Sequence, residues 1–291
     1  MRPYLLLLPG LGTILFLMGS ALYVVVAQSF GLYGFSGESH ATLEHWKVML
    51  SDPILWRSVN YSLRTSIFGT VGALLAAYPI AMWLQQKVPG KSVIIALLRA
   101  PMFVPGLVAA FLFMNVIAFH GVMNETLMFL GIIEKPLRLA NDTFGWGVVI
   151  LQVWKNLPFA LILITGSIAA IRTDLLDAAL DLGASRWARF RQVIFPLTIP
   201  ALQASAILIF IGALGDFSLA SIAGSRSSYS LAMLMNVTAT QYYEWQNAAV
   251  TALIIMLLAG LCSILIAATT QPFATNRKPV ITLPNNTLEA K

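Results

Sequence analysis

The chain has 291 residues, of which 58% are hydrophobic and only 10% are charged. Because a soluble domain carries roughly 25% charged residues, this composition excludes an ordinary soluble protein and indicates an integral membrane protein. The net charge of +6 does not indicate a nucleic-acid partner, since the basic residues are few and lie scattered among apolar segments. A single cysteine, Cys262, excludes an internal disulfide, and its apolar surroundings predict a packed free thiol.

Six apolar stretches are long enough to cross a membrane, since a hydrocarbon core of about 30 Å needs roughly 20 residues of helix. The predicted spans are residues 4–28, 59–84, 92–119, 144–171, 199–223 and 248–270. The first also has features of a cleaved signal peptide, but its apolar run is longer than the roughly 7 to 15 residues of such a peptide. We therefore expect a retained first helix and an all-α integral membrane bundle of six transmembrane helices.

Basic residues predict the orientation of the bundle, because short cytoplasmic loops carry the Lys and Arg excess. With the amino terminus inside, the cytoplasmic set is Arg2, Lys87, Lys91, Arg172, Arg186, Arg189, Arg191, Arg277, Lys278 and Lys291. The outer set is smaller and consists of Lys47, Arg57, Lys135, Arg138 and Arg226. Both termini are therefore predicted to be cytoplasmic. The aromatic residues of the predicted outer loops at 29–57, 120–143 and 224–247 fit a belt at the membrane interface.

The predicted cytoplasmic loop between the fourth and fifth spans is unusually rich in charge. Leucine and alanine alternate with Asp174, Asp177 and Asp181 at helical spacing, which predicts a short amphipathic helix with an acidic face. Gly183 is expected to end this helix, and a second helical stretch with three arginines follows. Pro196 and Pro200 then predict the start of the fifth span, where a missing backbone donor is tolerated.

An amphipathic helix outside the bilayer needs a surface to cover its apolar side. Anionic lipid headgroups attract basic helices but repel the acidic half of this loop. The pattern therefore favours a groove on a cytosolic protein partner.

The loop resembles the "EAA" loop in the membrane-spanning subunits of binding-protein-dependent ABC importers. That pattern is Glu-Ala-Ala, three residues, Gly, nine residues, Ile, one residue, then Leu-Pro. The matching positions here are Asp177, Ala178, Ala179, Gly183, Val193, Phe195 and Pro196. Asp replaces Glu, Val replaces Ile and Phe replaces Leu, so the chemical character is kept. The resemblance extends over roughly residues 55–270 and includes "NYSLRTS" and "WKNLPF".

This resemblance implies a domain layout and a set of contact residues. Residues 1–54 would hold the first transmembrane helix and an outer loop, residues 55–270 the importer domain with the type I (MetI-like) fold, and residues 271–291 a polar cytoplasmic tail. The coupling loop would span residues 172–196. Its implied contacts with the ATP-binding subunit are Asp177, Ala178, Ala179, Gly183, Ala184, Ser185, Arg186 and Pro196.

The family also implies partners and a cellular place. Two ATP-binding subunits, a second and related permease subunit and a periplasmic solute-binding protein would assemble with this chain in the bacterial inner membrane. The chain itself is not expected to be an enzyme, because it has no phosphate-binding loop and no nucleophile with a base. ATP and Mg²⁺ would be bound by the partner ATPase, and the three histidines show no metal-ligand spacing.

Charged residues within the predicted spans need a reason, because each costs at least about 2.5 to 3.5 kcal/mol near the centre of the bilayer. Arg64 and Arg99 are expected to lie near span ends and extend to the interface. Lys155 and Asp216 lie deeper and at similar depth, which predicts an ion pair. The alternative is that Asp216 and Lys155 line the substrate path, with Asp216 contacting a cationic solute.

Small residues and prolines indicate where the spans pack or bend. Pro101 and Pro105 predict a kink in the third span that would free carbonyl groups. Small residues predict close helix contacts in the second and fifth spans. These residues are Gly69, Gly72, Ala73, Ala76, Ala77, Gly212 and Gly215.

The solute is less defined than the class of transporter. Weak motifs such as "LLLLPGLG", "PMFVPGLV", "ALGDF" and "YYEWQNAAV" resemble permeases for polyamines, ferric iron, thiamine and phosphonate, and the layout favours a polyamine. Two other classes stay open at this point. An ion-gradient-driven secondary transporter would need paired carboxylates within the membrane, and a non-transporting scaffold would use the loop only for assembly.

Overall fold

Helices account for the regular structure of the described residues, as the composition predicts. The computed structural model describes residues 2–33, 40–86, 89–137, 140–225 and 227–274, and the regular elements within these ranges are helical. They are α1 (Arg2–Ser29), α2 (Glu44–Ser51), α3 (Pro53–Trp83), α4 (Lys91–Arg99), α5 (Gly106–Ile117), α6 (Val122–Phe129), α7 (Trp146–Ala169), α8 (Thr173–Asp181), α9 (Arg186–Arg189), α10 (Phe195–Leu214), α11 (Ser218–Ala223), α12 (Leu231–Thr240) and α13 (Trp245–Ala274). A 3₁₀ turn covers Ala100–Phe103, and a π-helical turn covers Phe190–Ile194.

Six helical stretches in the described residues are long and apolar enough to cross a membrane, which confirms the predicted all-α bundle. They are Pro9–Ser29, Pro53–Trp83, Gly106–Phe129, Trp146–Ala169, Arg186–Leu214 and Trp245–Thr269. The second begins six residues before its predicted start at Val59. The reason is a local start signal, because Asp52 accepts a hydrogen bond from the Ile54 amide at 2.7 Å and Pro53 takes the first helical position.

The third apolar stretch is broken rather than kinked, so the prediction of one helix over 92–119 was wrong. The α4 helix ends at Arg99, and α5 begins at Gly106 after the 3₁₀ turn. Between them Val104 is extended, with ψ 119°, because the ring of Pro105 disfavours helical backbone in the residue before it. The two prolines thus separate the stretch into independent helices.

The fifth predicted span, residues 199–223, also differs from the structure at both ends. The α10 helix begins at Phe195 and continues without a gap from α9 through the π-helical turn. It ends at Leu214, and the short α11 follows a bend at Gly215 and Asp216. Pro196 takes one of the first two positions of α10, as predicted, whereas Pro200 lies inside the helix and does not begin it.

Three helices, α2, α6 and α12, lie in stretches that the sequence predicted as outer loops. The start of α12 is the best defined of them. Ser230 caps α12 by accepting a hydrogen bond from the Met233 amide at 3.2 Å. The Leu231 amide donates to the Ser62 hydroxyl oxygen at 2.8 Å, which ties the start of α12 to α3. The predicted loop over 224–247 therefore contributes an ordered helix to the outer end of the bundle.

The core of the bundle is the contact between α3 and α7, which pack against each other more extensively than any other pair of helices in the described part of the chain. A Cβ atom added at Gly69 would lie 2.2 Å from Gln152 Oε1, and one at Gly72 would lie 2.6 Å from Val153 Cγ2. The small residues of α3 thus let two backbones approach closely, as predicted. By contrast, Gly212 has no atom within 4 Å of such a Cβ, so it makes no close contact within this chain.

Arg64 lies about three turns into α3, and its neighbour Phe144 lies just before the start of α7. This places Arg64 level with the outer end of the fourth span, so its predicted position near a span end stands. Its guanidinium carbon lies 4.8 Å from the centre of the Phe144 ring, a cation–π contact. Arg99 is exposed at the end of α4, in agreement with its prediction. Lys87, Arg138, Arg226 and residues 275–291 lie outside the described residues, so the predicted tail beyond Ala274 stays a prediction.

Candidate functional site

The loop between the fourth and fifth spans forms an exposed helix, a turn and a second helix. The α8 helix carries Asp174 in its first turn, where a carboxylate is favourable near the helix amino terminus. Arg172 Nη2 lies 2.6 Å from Asp174 Oδ2 at the surface. Asp174, Asp177 and Asp181 are all exposed, as the predicted acidic face requires.

Gly183 ends α8 through a defined backbone geometry. The Gly183 amide donates to the Leu180 carbonyl at 2.8 Å, and the Ala184 amide donates to the Ala179 carbonyl at 2.9 Å. These two bonds form a Schellman motif, which needs a left-handed residue at the position of Gly183, where φ is +76°. The glycine therefore reverses the chain, which confirms the predicted break.

Apolar side chains of this loop remain uncovered by the rest of the described chain. Leu182 is 87% exposed and Trp187 is 68% exposed. About half of Leu180 and of Leu175 is exposed as well. Clustered apolar side chains on a polar helix mark an interaction surface.

The second half of the loop is a helix that continues directly into the fifth span. Ser185 caps α9 by accepting a hydrogen bond from the Ala188 amide at 3.2 Å. The Phe195 amide then donates to the Phe190 carbonyl, a π-type bond that widens the helix just before Pro196. Because Pro196 has no amide hydrogen and its ring crowds the preceding turn, this wider turn lets the helix continue through it.

The predicted coupling residues fall into two groups. Residues 177–186 lie together in the helix, turn and second helix, where Asp177, Ala178, Ser185 and Arg186 are exposed. Pro196 lies further along the helical stretch, in α10 and half-buried. A movement of the loop would therefore pass directly into α10.

Lys155 and Asp216 do not form the predicted ion pair, because neither belongs to an ion pair within 4.0 Å in the described residues. The Lys155 ammonium donates to the Val104 carbonyl at 2.5 Å. That carbonyl lacks a helical partner because of the break at Pro105. Asp216 Oδ1 instead accepts a hydrogen bond from the Leu219 amide at 2.8 Å and so begins α11.

The two helix breaks that these residues serve lie against each other. A Cβ atom added at Gly106, the first residue of α5, would lie 3.2 Å from Ser218 Cβ, the first residue of α11. Lys155 thus forms a hydrogen bond at the break before α5, and Asp216 forms one at the break before α11. In membrane transporters, interrupted helices commonly line a substrate cavity.

An aromatic cluster that the sequence did not predict lies beside the loop. Tyr78 of α3 contacts the rings of Phe190 and Phe195, and Trp187 stacks on Phe190 at 5.2 Å between ring centres. The one signal in the sequence was a tyrosine hydroxyl within an apolar span, which requires a buried hydrogen-bond partner. Its partner, Thr198, lies 120 positions away, so no local pattern shows it.

Comparison with known families supports the same interpretation of the loop. Residues 69–274 match the family model described as "Binding-protein-dependent transport system inner membrane component". The match covers well over half of the chain. The chain belongs to this family. Members of this family are transporter permease subunits, and ATP hydrolysis in ABC importers lies in separate subunits, so the chain is a multi-pass inner-membrane permease of the MetI type and not an enzyme.

Relatives of this binding-protein-dependent permease carry different solute names. The chain is 29% identical over 222 residues to the spermidine/putrescine transport system permease protein PotB of Escherichia coli (strain K12), covering 76% of this chain and 79% of PotB. It is 24% identical over 235 residues to a probable starch degradation products transport system permease protein, AmyD, of Thermoanaerobacterium thermosulfurigenes, covering 79% of this chain and 80% of that protein.

Solved structures agree on the fold of this permease. A bacterial alginate ABC transporter in complex with alginate pentasaccharide-bound periplasmic protein matches with a TM-score of 0.74 and 16% identity, over 94% of this chain and 96% of that one. At this identity the likeness shows the fold alone. Because the chain belongs to the family of importer permeases, it is neither an ion-gradient-driven secondary transporter nor a non-transporting scaffold.

Proposed function

We propose that this permease belongs to an ATP-driven importer that moves a polyamine from a periplasmic binding protein into the cytoplasm. The similarity to PotB supports the solute, and the exposed loop around Gly183 supports the link to ATP. In this proposal two ATP-binding subunits lie on the cytoplasmic side, and a second, related permease subunit completes the path. ATP and Mg²⁺ are held by the ATP-binding subunits.

The observation that carries the proposal is the uncovered apolar surface of the coupling loop. Leu182 and Trp187 project from a helix and a turn that contain the family motif, and most of the surface of each side chain is exposed although Trp187 stacks on Phe190. A groove on the ATP-binding subunit would bury them and pair with the acidic face of α8. Closure of the ATP-binding subunits would then move α10 as a rigid body, because the helical stretch from Arg186 to Leu214 has no gap.

The two opposed helix breaks are the proposed substrate path. Polyamines are cationic, and Asp216 supplies a carboxylate beside the bend between α10 and α11. The Leu219 amide donates to one oxygen of that carboxylate, which positions Asp216 at the start of α11. In this proposal the carboxylate attracts the ammonium groups of the solute. Lys155 satisfies the Val104 carbonyl at the facing break and so stabilises the separation of α4 from α5.

The coupling role is tested with Gly183→Pro in the chain co-expressed with its ATP-binding subunit. Proline cannot adopt a φ of +76°, so the turn is lost and α8 is displaced. We expect normal membrane insertion and loss of the ATP-binding subunit from the affinity-purified complex. Gly131→Pro is the matched control, because Gly131 also has a positive φ of +70° but lies in a different turn. Retention of the ATP-binding subunit by Gly183→Pro would overturn the proposal.

The solute is tested by uptake into proteoliposomes that contain the full complex and the binding protein. We expect ATP-dependent accumulation of labelled spermidine or putrescine. The similarity to AmyD makes maltodextrin the second solute to measure, and ferric iron, thiamine and phosphonate complete the set. Uptake of one of these without polyamine uptake would refute the polyamine assignment and leave the coupling role standing.

A further inference from the structure

Tyr78 joins the second span to the segment that follows the coupling loop. Its hydroxyl lies 2.8 Å from Thr198 Oγ1, and Thr198 Oγ1 donates to the Phe195 carbonyl at 2.9 Å. Since a hydroxyl has one proton, the Tyr78 hydroxyl is the donor in the first bond. Thr198 is fully buried and Tyr78 is half-buried. It connects α3 to α10 near the cytoplasmic ends of both helices.

The ring of Tyr78 adds contacts to the same segment. The Phe190 ring meets it edge-on, with ring centres 5.8 Å apart, and the Phe195 ring lies at 6.0 Å. Phe190 and Phe195 also bracket the π-helical turn, and Trp187 of α9 stacks on Phe190. A single α3 side chain therefore contacts both ends of the one irregular turn between the coupling loop and the span.

The aromatic cluster borders a groove on one side and the tightly packed part of α3 on the other. An open apolar groove of about 820 Å³ runs beside it, lined by Leu74, Leu75, Pro79, Met82 and Leu202 together with the cluster itself. Further along α3, Gly69 and Gly72 lock the helix onto α7. Ala77 and Ala81, on either side of Tyr78, are buried in the same core as Ile164 of α7. A displacement of the Tyr78 ring would therefore move α3 together with α7.

We propose that Tyr78 is a positioning residue that transmits movement of the coupling loop to α3. This inference depends on the proposed function, because it assumes that the loop docks on the ATP-binding subunit. When α9 moves, the rings of Phe190 and Phe195 displace the Tyr78 ring that they contact. The hydrogen bond from Tyr78 to Thr198 keeps α3 attached to α10 during this movement. α3 and α7 then move together and change access to the path.

The test compares Tyr78→Phe, Thr198→Val and the double variant in the assembled complex with its binding protein. The measured quantity is solute imported per ATP hydrolysed. Each single variant should lower this ratio about fivefold, the factor that one hydrogen bond is worth. The double variant should lower it no further than Thr198→Val alone, because Thr198→Val already removes the bond to Tyr78 together with the bond from Thr198 to the Phe195 carbonyl. Tyr78→Leu also removes the ring contacts and should lower the ratio by about tenfold or more.

Controls separate transmission from stability. Tyr242→Phe is the matched substitution at an exposed tyrosine remote from the cluster, and it should leave the ratio unchanged. An unchanged ratio in Tyr78→Phe, additive single effects, or a fall that tracks a lower thermal midpoint of the purified complex would overturn the role of Tyr78. A wild-type complex that neither binds the ATP-binding subunit nor imports solute would instead refute the proposed function, and the Tyr78 role with it.

Discussion

The coupling loop and the α3–α7 contact use opposite arrangements of apolar side chains. In the loop Leu182 is 87% exposed, whereas Ala73 and Ala77 of α3 have no exposed surface. The loop has little internal packing, so its conformation depends on local backbone bonds around Gly183. The α3–α7 contact depends on helix-to-helix fit over several turns. The coupling loop is therefore suited to bind a partner protein, whereas α3 and α7 are suited to move together as one rigid body.

The largest effect is expected from breaking the α3–α7 contact. A Cβ atom at position 69 would already lie 2.2 Å from Gln152 Oε1, and Gly69→Val adds two methyl groups to that Cβ. We expect a loss of about 3 kcal/mol in the free energy of unfolding, from overpacking between two helices. Gly166→Val on α7 is the control, since a Cβ there meets no atom within 4 Å. Thermal unfolding in detergent measures both, and equal midpoints would contradict the close packing.

The converse effect is expected in the loop. Leu182→Asp should change the unfolding free energy by less than about 0.5 kcal/mol, because the side chain is exposed. Binding of the ATP-binding subunit should weaken roughly thirtyfold, about 2 kcal/mol, as for a central interface residue. Titration of the purified subunit onto the permease in nanodiscs measures the affinity. An unchanged affinity would mean that Leu182 lies outside the interface.

A smaller effect is expected at the break between α10 and α11. Asp216→Ala removes the acceptor of the Leu219 amide and should cost about 1 kcal/mol of stability. Asp216→Asn keeps an acceptor and should keep the stability, but it removes the charge proposed to meet a cationic solute. Unfolding midpoints and spermidine uptake together separate the two roles. Full uptake in Asp216→Asn would show that the charge is not part of the path.

The features predicted well from sequence are those that local chemistry determines. The turn at Gly183 follows from a glycine after an amphipathic helix, and the length of each apolar run sets the number of spans. The breaks at Pro101 and Pro105 were visible as prolines, but whether a proline bends or ends a helix depends on what receives the freed carbonyl. Here Lys155 of another span receives the Val104 carbonyl, which no local pattern shows.

Long-range partners explain the other differences. The sequence placed Lys155 and Asp216 at similar depth, and charge alone predicted a pair. Instead, Lys155 donates to the Val104 carbonyl and Asp216 accepts from the Leu219 amide. Both backbone groups lie at helix breaks, where they have no partner within their own helix and a side chain must satisfy them. α12 was missed because its capping residue, Ser230, lies in a polar segment that resembles a loop, and its tie to Ser62 spans 169 positions.

The central claim is that the turn after α8 faces the cytoplasm and docks on the ATP-binding subunit. The most direct measurement is labelling of Leu182→Cys with a membrane-impermeant maleimide, in a chain whose only other cysteine, Cys262, has been replaced by alanine. We predict labelling in inside-out vesicles alone, and protection when the ATP-binding subunit is present. Labelling in right-side-out vesicles, or labelling that the subunit does not reduce, would contradict the account.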